Sequence, residues 1–135
     1  MKSLSLITPL EFRKKLPLMP REKQTIKQGR ELIGKILTGR NKRLLVIAGP
    51  CSIHDEKSAL EYATRLAKLK KIVEDKIFLV MRTYFEKPRT LFGWKGFISD
   101  PLLNNSFNVN QGLGKARKIL LDINRLGVAL SLIHI

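Results

Sequence analysis

Residues 77–90 read IFLVMRTYFEKPRT, an apolar run that passes directly into a cationic loop. Ile77 to Met81 form the short continuous hydrophobic stretch expected of a strand buried in a parallel sheet. Arg82, Lys87 and Arg89, with the Thr90 hydroxyl, then crowd the segment leaving that strand's carboxyl end. Pro88 fixes its own φ and drives Lys87 toward extended geometry, so the flanking cations are aimed. Arginine offers a planar fork and lysine a compact charge, a pairing suited to phosphate and carboxylate groups. The plainer reading is an exposed charged loop in which Glu86 pairs locally.

Upstream, Leu44 to Ala48 is a second apolar run, expected to be a strand buried on both faces, and it empties into Gly49-Pro50-Cys51-Ser52. Cys51 is the single cysteine, which excludes an intramolecular disulfide and fits a reducing, cytoplasmic setting. At a strand rim its sulfur has three readings: a ligand for a soft or borderline metal, a nucleophile, or a small buried apolar group. His54, three residues on, is either a second ligand or a helix-flanking surface residue.

Asp55 is placed to cap a helix from Glu56 to about Lys71, with Ala59, Tyr62, Ala63, Leu66 and Leu69 as its apolar stripe. Segment 83–109 is too irregular for either regular element, and such a length in a compact domain is usually functional. On it, Trp94 is expected to pack the loop onto its scaffold, and Asn104 to Phe107 to form a turn or touch a partner subunit. A further helix is expected from about Gln111 to Leu126, capped by Asn110, stopped by Gly127, with Leu113, Ala116, Leu120 and Ile123 on one face. Val128-Ala129-Leu130 can begin a third strand.

Residues 1–20 carry Pro9, Pro17 and Pro20 and read as an extended arm with room for one short helical turn. From Arg21 to Thr38 a helical pattern places Ile26, Ile33, Ile36 and Leu37 on one face, and Gly39 closes it. The order is therefore arm, helix, then strand-helix-strand-loop-helix-strand, an α/β arrangement with a parallel sheet. Two or three strands are too few to close a barrel, since a complete (β/α)₈ barrel takes about 250 residues.

Composition is that of a globular protein, 44% apolar and 27% charged. No apolar run reaches the roughly 18–20 residues of a bilayer span, and the first residues lack the pattern of a signal peptide. The charge is lopsided: 26 basic against 11 acidic residues give +15, of which residues 1–43 hold +9. That block admits a nucleic-acid-binding module, but few aromatics accompany it and no recognition motif appears. The expectation is a solvated basic helix face, with no nucleic-acid partner and no membrane partner.

Six stretches, in order and at fitting distances, resemble the class I family of 3-deoxy-D-arabino-heptulosonate-7-phosphate (DAHP) synthase. They are LLVIAGPCSIHD at 44–55, EYATRL at 61–66, MRTYFEKPRT at 81–90, GWKGFISDP at 93–101, NSF at 105–107 and LLDIN at 120–124. The resemblance spans about residues 8 to 128. It implies the N-terminal part of a (β/α)₈ TIM barrel, cut after two to three strands, with residues 1–40 as an N-terminal helical extension. It also implies condensation of phosphoenolpyruvate with erythrose 4-phosphate, releasing phosphate, in the shikimate pathway that leads to the aromatic amino acids.

On the same resemblance Cys51 is a ligand of a divalent metal of the Mn, Fe, Co or Zn type. Arg82 and Lys87 bind phosphoenolpyruvate, with Lys87 also a candidate for proton transfer, and Arg89 and Thr90 hold erythrose 4-phosphate. The extension implies homo-oligomer contacts and an aromatic amino-acid inhibitor site. The family's other metal ligands, a His, a Glu and an Asp, lie on later strands, so the 135-residue piece is expected to be inactive alone. After Val128 the family continues with a proline-containing strand bearing a glutamate, whereas residues 129–135 depart from it, and a truncated reading frame or an appended non-native tail is expected. His134 is accordingly not taken as a metal ligand. A noncatalytic anion-binding relic is the remaining rival.

Overall fold

The computed structural model describes residues 5–87 and 92–132. Seven elements follow in order: α1 (Pro9–Lys15), α2 (Pro20–Leu37), β1 (Leu44–Ala48), α3 (Glu56–Val73), β2 (Ile77–Arg82), α4 (Val109–Arg125) and β3 (Ala129–Ser131). The strands form one parallel sheet in the order β1-β2-β3, with Leu44 opposite Ile77 and Val80 opposite Ala129. Sequential parallel neighbours joined through helices are what the alternation of strand and helix patterns requires.

Side chains alternate across β2, and both of its faces are covered. Leu79 and Met81 pack with Ala59, Ala63 and Leu66 of α3 and with Ala116, Ile119 and Ile123 of α4. Phe78 and Val80 meet Ala129 and, from α2, Leu32, Ile33 and Ile36. The central strand is thus the doubly buried one. β1 is not, contrary to expectation: Leu44 is 63% exposed and Ile47 46%, because β1 pairs on one side only among the described residues.

The helix patterns need similar adjustment at their margins. Tyr62 and Leu69 lie on the exposed flank of the α3 stripe, and Leu37 of α2 points into solvent while Leu32 packs in the core. The arm contains a two-turn helix rather than a single turn. Thr8-Pro9-Leu10-Glu11 is a capping box, with the Glu11 amide donating to Thr8 Oγ1 at 3.3 Å and the Thr8 amide to Glu11 Oε2 at 2.8 Å. The cap of α4 is Asn108, two residues before the expected Asn110, and accepts from the Gln111 amide. Asn110 instead ties down the arm, accepting from the Ile7 amide at 2.8 Å and donating to the Ser5 carbonyl at 2.9 Å.

Asp55 caps α3 as expected, accepting from the Ser58 amide at 2.6 Å. Hydrogen bonds from Ser58 hold its carboxyl below the ordinary range, bonds from Thr8 do the same for Glu11, and Glu22 is lowered by its own backbone N–H and by Arg125. A carboxyl lowered on folding contributes stability above its unfolded value, and loses it as pH falls through the folded one. Urea midpoints are therefore expected to fall as pH drops from about 5 toward 2. Midpoints flat over that range would show that these bonds do not favour the folded state.

Candidate functional site

The turn after β1 and the exit of β2 lie side by side because the two strands are parallel and in register, Ala48 opposite Met81. Gly49 is required there: a Cβ at that position would stand 2.4 Å from the Arg82 carbonyl oxygen. With the backbones in contact, Arg82 reaches across, its Nη1 donating to the Pro50 carbonyl at 2.7 Å and also to the Cys51 carbonyl. Its guanidinium carbon lies 5.0 Å from the centre of the Tyr84 ring, within cation–π range. The Ile53 amide donates to the Tyr84 carbonyl at 2.6 Å, closing the same seam one step further.

Cys51 is exposed on this rim. The buried reading of its sulfur therefore does not hold, since the turn after β1 leaves the residue exposed. Lys87 Nζ lies 3.3 Å from Cys51 Sγ. That hydrogen bond and the ammonium charge, helped by Arg82, hold the thiol below its ordinary range despite some burial. A thiol biased toward thiolate is both a better metal ligand and a better nucleophile. Arg82 and Lys87 thus come together with Cys51 across 31 to 36 residues of sequence. Arg89 and Thr90 fall outside the described residues.

Lys87 sits on a short ribbon. Its amide donates to the Lys95 carbonyl at 2.9 Å, the Phe97 amide donates to the Phe85 carbonyl at 2.6 Å, and Glu86 bridges Gly96. Phe85 and Phe97, both buried, bring their rings within 6.0 Å beneath it. Trp94 packs against the core and donates Nε1–H to the Asp100 carbonyl at 2.7 Å, the scaffold role expected of it. Leu103, Asn105 and Phe107, on the far part of the loop, have φ of 57°, 58° and 49°.

Among the described residues no three His, Cys, Asp or Glu side chains gather to hold a metal ion. Cys51 supplies one donor, and His54 is exposed beside Asp55. The donor set is one soft ligand on an open rim, which fits a single coordination position. A groove of about 660 Å³ between α1, α2, α4 and β3 contains none of the site residues. Sequence reading missed the backbone brace made by Arg82 and the role of Tyr84 and Glu86. No sequence signal marked the last two, since Tyr84-Phe85-Glu86-Lys87 runs two aromatics into two charges without a period-2 pattern.

The sequence profile of the DAHP synthetase I family matches residues 17–130. The chain belongs to that family. It is 56% identical over 124 residues to the Trp-sensitive phospho-2-dehydro-3-deoxyheptonate aldolase of Escherichia coli, covering 92% of this chain and 36% of that protein. The Trp-sensitive aldolase of Buchnera aphidicola subsp. Baizongia pistaciae is also 56% identical, over 123 residues, 91% of this chain and 35% of that protein. Among solved structures, the phospho-2-dehydro-3-deoxyheptonate aldolase of Francisella tularensis superposes with a TM-score of 0.92 at 43% identity, over 96% of this chain and 38% of that one. The chain spans about a third of the length of these curated relatives. The sheet and helices described above are accordingly a segment of the fold adopted by DAHP synthases.

Proposed function

We propose that this chain is the amino-terminal third of a DAHP synthase, which condenses phosphoenolpyruvate with erythrose 4-phosphate, and that it carries part of the substrate and metal site. The observation that carries the reading is the meeting of Arg82, Lys87 and Cys51 at the carboxyl ends of two parallel strands. In α/β folds, ligands bind at that end of the strands. Arg82 and Lys87 supply positive charge for the carboxylate and phosphate of phosphoenolpyruvate, and Lys87 is placed to deliver or accept a proton beside Cys51. Arg89 and Thr90, seven and eight residues past the end of β2, are assigned to erythrose 4-phosphate on sequence alone.

Cys51 would hold one position of a divalent ion, which when bound supplies Lewis-acid polarisation of an aldehyde oxygen. The chain's own contribution is to bind, orient and charge-balance the substrates. A regulatory and oligomeric role for residues 1–40, answering to an aromatic amino acid, belongs to the same proposal, as does a cytoplasmic location. The Trp-sensitive names of the relatives support tryptophan as that amino acid.

The test is a chimera in which residues 1–128 replace the matching third of the Escherichia coli relative. The chimera is expected to consume phosphoenolpyruvate only when erythrose 4-phosphate and Mn²⁺ are present, and the 135-residue chain alone is expected to show no turnover. A well-folded chimera without turnover would reject the assignment. Turnover by the chain alone would reject the division of the site between this third and the rest.

A further inference from the structure

Glu86 lies next to the site yet points away from it, and the reaction gives it no task. Its carboxyl is partly buried, and burial pushes it above the ordinary carboxylate range. Placing an acid there costs free energy unless its oxygens are bonded. They are: Oε2 accepts from Ser99 Oγ at 3.3 Å, and the Ile98 amide also bonds the carboxyl. Both donors lie on the returning arm of the ribbon that carries Lys87.

Gly96 shows how closely the two arms are pressed together. A Cβ there would stand 2.6 Å from Glu86 Cα and 2.8 Å from Glu86 Oε2, at a backbone φ of +128°. The side chain of Glu86 thus lies across Gly96 and fastens residues 96–99 to the β2 exit. Lys87 is the next residue, and its own amide is tied to Lys95 on the same arm. Lys87 has a flexible four-carbon stem, so the position of its ammonium depends on how firmly this backbone is held.

We infer that Glu86 is a positioning residue for Lys87: by tying Ser99 and Ile98 to the ribbon it keeps the Lys87 ammonium against the Cys51 sulfur. The inference rests on the reading of Lys87 and Cys51 as site residues, but its test does not depend on turnover. Cys51 is the only thiol in the chain, so its alkylation by iodoacetamide at neutral pH reports whether Lys87 is in place.

Lys87→Ala is expected to slow alkylation by about threefold, a smaller thiolate fraction being partly offset by a more nucleophilic thiolate. Glu86→Ala is expected to slow it to a similar extent, and the double variant no further, because both remove the same contact. Glu86→Gln keeps an acceptor oxygen and is expected to retain most of the original rate. Far-UV circular dichroism and Trp94 emission report folding; if Glu86→Ala does not fold, Ser99→Ala, which cuts one arm of the same tie, takes its place in the cycle. Effects that multiply in the double variant would overturn the inference, as would an unchanged rate in Glu86→Ala or in Lys87→Ala. Failure of the chimera to turn over, with this cycle intact, would instead strike the assigned reaction and leave the positioning role standing.

Discussion

Arg82→Ala in the chimera is expected to lower kcat/KM for phosphoenolpyruvate by about two to three orders of magnitude, the usual consequence of truncating one partner of a hydrogen-bonded charge pair. The size follows from the double use of this guanidinium. It presents cationic N–H groups at the strand end, where an anion would bind, and it braces the turn that carries Cys51 through the Pro50 and Cys51 carbonyls. Alanine removes the charge and also releases two backbone oxygens on the rim. Arg82→Lys separates the two uses, because an ammonium keeps the charge while losing the planar fork. That variant is expected to fall between wild type and alanine. Steady-state kinetics with phosphoenolpyruvate varied would decide the matter. An Arg82→Ala enzyme with unchanged KM and kcat would take Arg82 out of the site.

Gly112→Ala is expected to destabilise the chain by about 3 kcal/mol, the upper part of the range for overpacking. The sign is informative, since alanine in a helix interior ordinarily gains about 1 kcal/mol over glycine. Gly112 lies in the first turns of α4, and a Cβ on it would come within 2.0 Å of the Ile98 carbonyl oxygen and 2.8 Å of Ile98 Cα. Both obstacles are backbone, so no rotamer change relieves them. Either α4 shifts or the loop carrying Ser99 and Trp94 lifts, and the latter would loosen the ribbon beneath Lys87. Gly34 supplies the comparison: it is helical too, and a Cβ there meets nothing within 4 Å. Gly34→Ala is expected to stabilise by up to about 1 kcal/mol. Urea titrations of both variants test the pair, and equal shifts of the same sign would contradict the packing argument.

Much of the fold was legible because local chemistry and the global arrangement agree. The apolar runs at 44–48 and 77–81, the Asp55 cap and the Gly127 stop each carry a signal that needs no tertiary contact. Gly127 has φ +80°, a conformation that favours glycine at a helix end. What escaped needed either a neglected motif or three dimensions. The Thr8–Glu11 capping box was present in the sequence, but three nearby prolines obscured it. Asn108 and Asn110 are equally good caps by type, and only the position of the arm, which engages Asn110, separates them. The exposure of Leu44 and Ile47 depends on which strand is central, and pattern alone does not set strand order.

The site was legible as a set of residue types and not as an arrangement. Arg82 and Cys51 could each be placed at a strand end, yet the contact of Lys87 with Cys51 depends on register and on the ribbon that returns through Lys95. Family resemblance supplied the roles, because one thiol and two cations suit many anion sites.

The sheet's open flanks bear on how this chain behaves in concentrated solution. β1 and β3 each pair on one side only among the described residues, and Leu44 and Ile47 are exposed on β1. Unpaired strand edges are templates for other chains. A net charge of +15 opposes that encounter by mutual repulsion. The repulsion reaches about 10 Å at 0.1 M salt and about 3 Å at 1 M. The cationic excess therefore opposes edge-to-edge pairing of this chain, and adding salt removes the barrier while leaving the adhesive edges in place.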